Sequence, residues 1–243
     1  MSVPGIWAVV PAKDLAQAKR RLAGVLSAAE RQGFARAMFE DVLDALVRAP
    51  NLAGGLVVTR DAALAALARG YGLRVIADLR HEGPNGAIAL AAKTLAAQGA
   101  AGMIAIPADV PLVSAEDIAS ILAGISKGPS VTLAPAFADM GTNGIALAPP
   151  DAIPPCFGPQ SFFRHQEVAL KRGIEPHVLR LPNLGLDVDR PGDLARFIAR
   201  PSATRSYRCL EASGALARLR HALSMSPDEN ASRGALQPRE GNG

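Results

Sequence analysis

Lys13, Lys19, Arg20 and Arg21 follow closely on the apolar run Ile6 to Val10, and cations packed so densely behind a strand are suited to holding phosphate. The stretch IWAVVPAKDLAQAKRRL reads as a buried strand that Pro11 stops, then a turn with polar DLAQ and the start of a helix. Unpaired N–H groups at a helix start attract polyanions, while lysine adds a compact charge and arginine a two-pronged donor for phosphate oxygens. No glycine lies between Pro11 and Arg21, which excludes a P-loop and a dinucleotide fingerprint here. A solvated basic face on the first helix would account for the same charges.

Two acidic loops offer the complementary chemistry. In PADVPL, Asp109 follows an apolar strand and is held between Pro107 and Pro111. In LDVDRP, alternation along an extended segment places Asp187 and Asp189 on one side. Carboxylates facing a phosphate loop suit a magnesium nucleotide, because the hard cation takes oxygen ligands and bridges them to phosphates. Asp109 and Asp187 are therefore the candidate metal ligands, with Asp189 in reserve. Each also has a plainer reading: Asp109 as a turn former, Asp189 as the N-cap of the helix that Pro191 opens.

Three polar segments extend the set. In HEGPNGAIALAA, from His81, the amide of Asn85 could hydrogen-bond a base or ribose, although a plain capped turn would also use these residues. In MGTNGIAL and CFGPQSFFRHQ, glycine, hydroxyl and amide groups could surround a carboxylate or phosphate, with Arg164 and His165 near a helix start. His165 is assigned no acid–base role.

The elements that must position these groups alternate. Strands are expected at 6–10, 54–59, 73–78, 102–107, 130–137, 143–150 and 177–182, and helices near 28–48, 61–70, 86–98, 114–125, 161–171 and 191–199. Strands separated by helices imply a parallel sheet wound right-handedly, and the adjacent strands after residue 128 make it mixed. Open α/β sheets bind ligands at the carboxyl ends of their strands, where the PAK, PADVPL and LDVDRP loops fall. The length of 243 residues fits one such domain over 1–200 with an extension over 201–243. That extension reads as a helix at Glu211–Leu223 and disorder over 225–243. A net charge of +4, part of it in the extension, points to small anions and not to nucleic acid. Cys156 and Cys209 lack metal-ligand spacing, and neither a signal segment nor a long apolar span precedes the first strand. A cytoplasmic protein with free thiols and no membrane partner is expected.

In order, VVPAKDLAQAKRRL, PNGAI, IPADVPLV, GTNGIAL, FGPQSFFRHQ and LDVDRPGDL resemble the 2-phospho-L-lactate guanylyltransferase family of coenzyme F-420 biosynthesis, also called CofC or FbiD, over residues 6–200. The resemblance implies a nucleotidyltransferase fold like that of the molybdopterin guanylyltransferases (GT-A or MobA-like): a Rossmann-like, mostly parallel sheet with helices on both faces. It implies transfer of GMP from GTP to a phosphorylated three-carbon acid with release of pyrophosphate, the product passing to the F-420 precursor transferase. 3-Phospho-D-glycerate is the favoured acid, ahead of phosphoenolpyruvate and 2-phospho-L-lactate. By the same resemblance Asp109 and Asp187 hold Mg2+, Lys13, Lys19 and Arg21 screen charge, and Thr142, Asn143, Gly158 and Ser161 surround the acid. Gly144 stands where some relatives carry a second threonine. A homodimer is compatible with this reading. A molybdopterin guanylyl- or cytidylyltransferase, which would need a glycine-rich first loop, and a non-catalytic nucleotide-binding protein are the alternatives.

Overall fold

The computed structural model describes residues 5–78, 83–126 and 128–224. Strands β1 (Ile6–Pro11), β2 (Leu52–Thr59), β3 (Arg74–Ala77), β4 (Gly102–Ala105), β5 (Ser130–Pro135), β6 (Thr142–Ala148) and β7 (His177–Val178) form one sheet, ordered β3-β2-β1-β4-β6-β5-β7. Strand β6 runs antiparallel to β4 and β5, whereas the remaining pairings are parallel. The helices are α1 (Ala28–Arg48), α2 (Ala62–Gly70), α3 (Gly83–Ala97), α4 (Ala115–Ala123), α5 (Ser161–Lys171), α6 (Pro191–Ile198), α7 (Arg205–Ala212) and α8 (Ala215–Ser224).

Strand alternation divides the apolar residues between two faces. Val9, Leu56, Met103 and Leu147 pack against Ile88 and Leu95 of α3 and Phe162 of α5. Val10, Val57, Ile104 and Ala146 pack against Phe39 and Val42 of α1, Leu64 of α2 and Ile121 of α4. A third cluster joins the far side of α1, at Phe34 and Met38, to Leu22, Phe197 of α6, Tyr207 of α7 and Leu216 of α8. Helix α1 is thus buried on two sides, and each large side chain so buried contributes about 1.5–3 kcal/mol. Ser27 and Glu30 close its start with a capping box, each side chain accepting from the other's backbone N–H at 3.3 and 2.8 Å.

Several sequence expectations are corrected. No α-helix begins behind Lys13: residues 15–17 and 20–22 form two single 3-10 turns, and α1 starts only at Ala28. Lys19 adopts a left-handed backbone (φ 52°) that no helix can continue through, and this turn lets Leu22 drop into the third cluster. Gly83 to Gly86 belong to the first turn of α3, where Pro84 is pre-organised for helix, and not to a loop; His81 lies outside the described residues. Strand β7 has two residues instead of six, because after Leu179 bonds to Leu133 O the chain reaches exposed Arg180 and Pro182, which has no N–H to give. The expected helix at 211–223 is two, broken at Ser213 and Gly214, whose φ of 71° ends α7. The carboxylate of Asp41 in α1 anchors α7, accepting from the N–H groups of Arg205 and Ser206 at 2.6 and 3.0 Å. The expectation for 225–243 falls outside the described residues.

Candidate active site

A cavity of about 470 Å3 opens at the carboxyl ends of β1 and β4, lined by the loop 11–21, by Pro107 to Asp109, and by Asp187 and Asp189. The loop after β1 is held open by side-chain caps where a helix would have satisfied its own backbone. Asp14 accepts from Ala16 N at 2.8 Å, and Asp61, the N-cap of α2, accepts from Leu15 N at 2.9 Å. Lys13 reaches the cavity and forms no ion pair among the described residues. Lys19 donates to Asp109 Oδ2 at 2.7 Å and lies 3.8 Å from Asp189 Oδ1, while Arg21 pairs with Asp189 Oδ2.

The two acidic loops are tied at their backbones, Val188 N donating to Asp109 O at 3.0 Å. Asn143 fixes Asp187 from the sheet, its Nδ2 donating to Asp187 Oδ1 at 3.0 Å and to Leu184 O at 2.9 Å. Burial first, then the Asp109 charge, pushes the Asp187 carboxyl up to about 6 against that hydrogen bond, and Asp139 adds to the rise. Asp189 is not the N-cap of α6. Arg190 holds that position and Asp193 accepts from the N–H groups of Asp189 and Arg190, which leaves the Asp189 carboxylate to the basic loop.

The donor set fits Mg2+. Asp109 and Asp187 are carboxylates that repel each other, and an ammonium, Lys19, already stands against Asp109. Among the described residues no cluster of three acidic, histidine or cysteine side chains could cage a metal. Mg2+ needs no such cage, since one or two carboxylates suffice when phosphates and water complete the shell.

The cavity is also lined by Thr142, Asn143 and Gly158, with Pro84, Ile88 and Phe157 as apolar lining. Thr142 faces α5 because β6 holds one extra residue opposite Ala134 and Pro135, which turns it to that side of the sheet. Gly144 points elsewhere: a Cβ there would meet Leu184 and Ile121 at 2.8 and 2.9 Å, so the position of the second threonine lies off the cavity. Gly158 takes φ 132°, a conformation closed to other residues. Ser161 is fully buried behind Thr142, and Asn85 stands off the wall, its amide clasping the N–H and C=O of Phe157 at 2.6 and 3.1 Å. Both therefore support the wall from behind. His165 is buried with them, at 2.9 Å from Thr142 Oγ1. Sequence reasoning missed Asp139, which lines the cavity. Its one local signal is an Asx turn onto Gly141 N at 2.8 Å, which says nothing of the direction it faces.

The sheet order is that of the nucleotidyltransferase fold. A protein from Desulfovibrio desulfuricans G20 described as a nucleotide-diphospho-sugar transferase has the same fold (TM-score 0.71, 18% identity, 91% of this chain and 98% of that one). A nucleotidyl transferase from Methanothermobacter does too (TM-score 0.56, 17% identity, 79% and 95%). The family model "Guanylyl transferase CofC like" matches residues 6–226, and the chain belongs to that family of guanylyltransferases. It is 40% identical over 196 residues to a phosphoenolpyruvate guanylyltransferase of Rubrobacter xylanophilus, covering 80% of this chain and 94% of the relative. It is 36% identical over 186 residues to a 3-phospho-D-glycerate guanylyltransferase of Colwellia psychrerythraea, covering 76% and 88%. No helix among the described residues is long and apolar enough to cross a membrane.

Proposed function

We propose that this enzyme joins GMP from GTP to the phosphate of a three-carbon acid, releasing pyrophosphate, in coenzyme F-420 biosynthesis, and that its product passes to the F-420 precursor transferase. The observation that carries this reading is one cavity lined by the cations Lys13, Lys19 and Arg21, by the carboxylates Asp109 and Asp187 and by Thr142. Such a space accepts two anions at once.

The acid's phosphate oxygen attacks the α-phosphorus of GTP as the bond from that phosphorus to the bridging oxygen breaks, and pyrophosphate leaves in line. The attacking phosphate is largely ionised near pH 7, its second pKa being about 6, and needs no general base. That agrees with a site in which His165 is buried away from the cavity. The work left to the protein is to overcome repulsion and to align the reactants. Lys13, without an ion pair among the described residues, is placed for the outgoing pyrophosphate, and Lys19 and Arg21 for the remaining phosphate charge. Asp109 and Asp187 would hold Mg2+, which when bound supplies further charge neutralisation at phosphate oxygens. Thr142 and the backbone around Gly158 receive the acid, and the Asn143 to Asp187 bond keeps the two halves of the site in register.

3-Phospho-D-glycerate is the proposed acid, as the sequence reading favours. Phosphoenolpyruvate is the second reading, supported by the name of the relative at 40% identity. Pyrophosphate release from GTP and Mg2+, run with each of these acids and with 2-phospho-L-lactate, tests the proposal. Turnover with one acid and its loss in Asp109→Asn are expected. Silence with all three in folded protein that binds GTP would instead support a nucleotide-binding protein without this activity.

A further inference from the structure

The buried face behind Thr142 contains a short chain of hydrogen bonds whose direction is fixed. Cys156 N lies 3.0 Å from His165 Nε2, and a backbone N–H can only donate, so Nε2 is the unprotonated nitrogen. The proton of the neutral ring is therefore on Nδ1, which faces Thr142 Oγ1 at 2.9 Å and also feels the Ser161 carbonyl one turn earlier. Ser161 Oγ donates to the same Thr142 oxygen at 3.1 Å. A hydroxyl oxygen has two lone pairs, and both are now engaged. What remains to Thr142 is its own O–H, and Thr142 lines the cavity.

We infer that His165 is a positioning residue for the acid substrate, holding Thr142 as an obligate donor aimed at an ionised oxygen of that acid. The inference rests on the guanylyltransferase reading above. It explains why a histidine that does not line the cavity stands fully buried between β6 and the segment at Cys156. Burial first, and then the Arg164 charge, lowers its pKa to about 4, so the ring stays neutral through the working range. The stack of Phe157 edge-on against the ring, centroids 4.9 Å apart, holds its plane. Were the ring turned or replaced by an apolar group, the Thr142 proton could swing inward and a lone pair would face the anion.

The test compares wild type with His165→Phe, His165→Asn and Thr142→Val, measuring KM for the accepted acid and for GTP separately. A hydrogen bond to a charged group contributes about 1.5–3 kcal/mol, so His165→Phe and Thr142→Val should each raise the acid KM about 10-fold to 150-fold. The GTP KM should stay within about twofold, since that factor is below the value of one ordinary hydrogen bond. His165→Asn, whose Nδ2 can replace Nδ1 as donor to Thr142, should recover most of the loss, and the Phe–Val double variant should be no worse than either single one. An unchanged acid KM in His165→Phe, equal shifts in both KM values, or no recovery with Asn would overturn the inference while leaving the activity established. Wild type inactive on every acid would overturn the reading beneath it. Should the Phe variant fail to fold, 15N NMR of the labelled ring in the wild type decides: a protonated Nδ1 and bare Nε2 are expected, and the reverse tautomer rejects the inference.

Discussion

Lys19 donates to Asp109 across 90 positions of sequence, 2.7 Å from Nζ to Oδ2, with its side chain only 9% exposed. If Asp109 holds Mg2+ as proposed, this ammonium stands against one of the metal's ligands. On the proposed function the same side chain would serve the phosphates of the nucleotide.

Lys19→Met should lower kcat about 100-fold or more, the usual loss when one donor to developing phosphate charge is removed. It should also tighten Mn2+ binding in the absence of nucleotide, read by electron paramagnetic resonance, because Asp109 loses its internal competitor. Weaker Mn2+ binding would contradict the substitution of ammonium for metal.

Asp187 carries a raised pKa, about 6 against an ordinary 3.8. Between those values the unfolded chain has released this proton and the folded chain retains it, so its contribution to stability falls as pH rises from about 4 to 6. Asp187→Asn should remove that loss: at pH 7.5 the metal-free variant should be more resistant to urea than wild type, yet show no stabilisation by Mg2+ and no turnover. Equal urea midpoints at pH 7.5 would contradict the cost assigned to ionising Asp187 in a buried place beside Asp109.

His165 acts with the opposite sign. Its folded pKa lies near 4 and its unfolded value at 6.5, so below pH 6.5 the unfolded chain gains a proton that the folded chain refuses. Stability should fall by up to about one proton's worth of slope as pH drops through this window. Urea midpoints of wild type and His165→Asn at pH 7 and pH 4.5 isolate the effect, the variant being the flatter of the two. Parallel curves would mean that the ring is not held neutral.

Much of this arrangement is legible from residue types alone. Helices α1 and α5 span the residues expected of them, 28–48 and 161–171, and Asp109 and Asp187 stand out because each follows an apolar segment at the ligand edge of the sheet. The loop around Lys19 is not legible, since its path is set by Leu22 seeking the third cluster and by caps from distant Asp61, neither of which is a local preference. Asn85 and Ser161 carry the right chemistry but spend it on Phe157 and Thr142, a distinction that only burial reveals. The expected helix at 211–223 runs through Gly214, whose positive φ breaks it.

Gly144→Thr separates the two candidate hydroxyl positions. The new Cβ would press on Leu184 and Ile121, so the variant should lose about 1–3 kcal/mol, as overpacked cores do, with the acid KM unchanged. A lower acid KM would show that position 144 can reach the cavity after all.

The most direct measurement is 31P NMR of GTP, Mg2+ and 3-phospho-D-glycerate, then phosphoenolpyruvate, incubated with the enzyme. Expected is a pair of mutually coupled signals from a guanylyl group newly joined to the acid's phosphate, growing in step with free pyrophosphate. Formation of GDP and inorganic phosphate, with the acid's own signal unchanged, would contradict guanylyl transfer at this site.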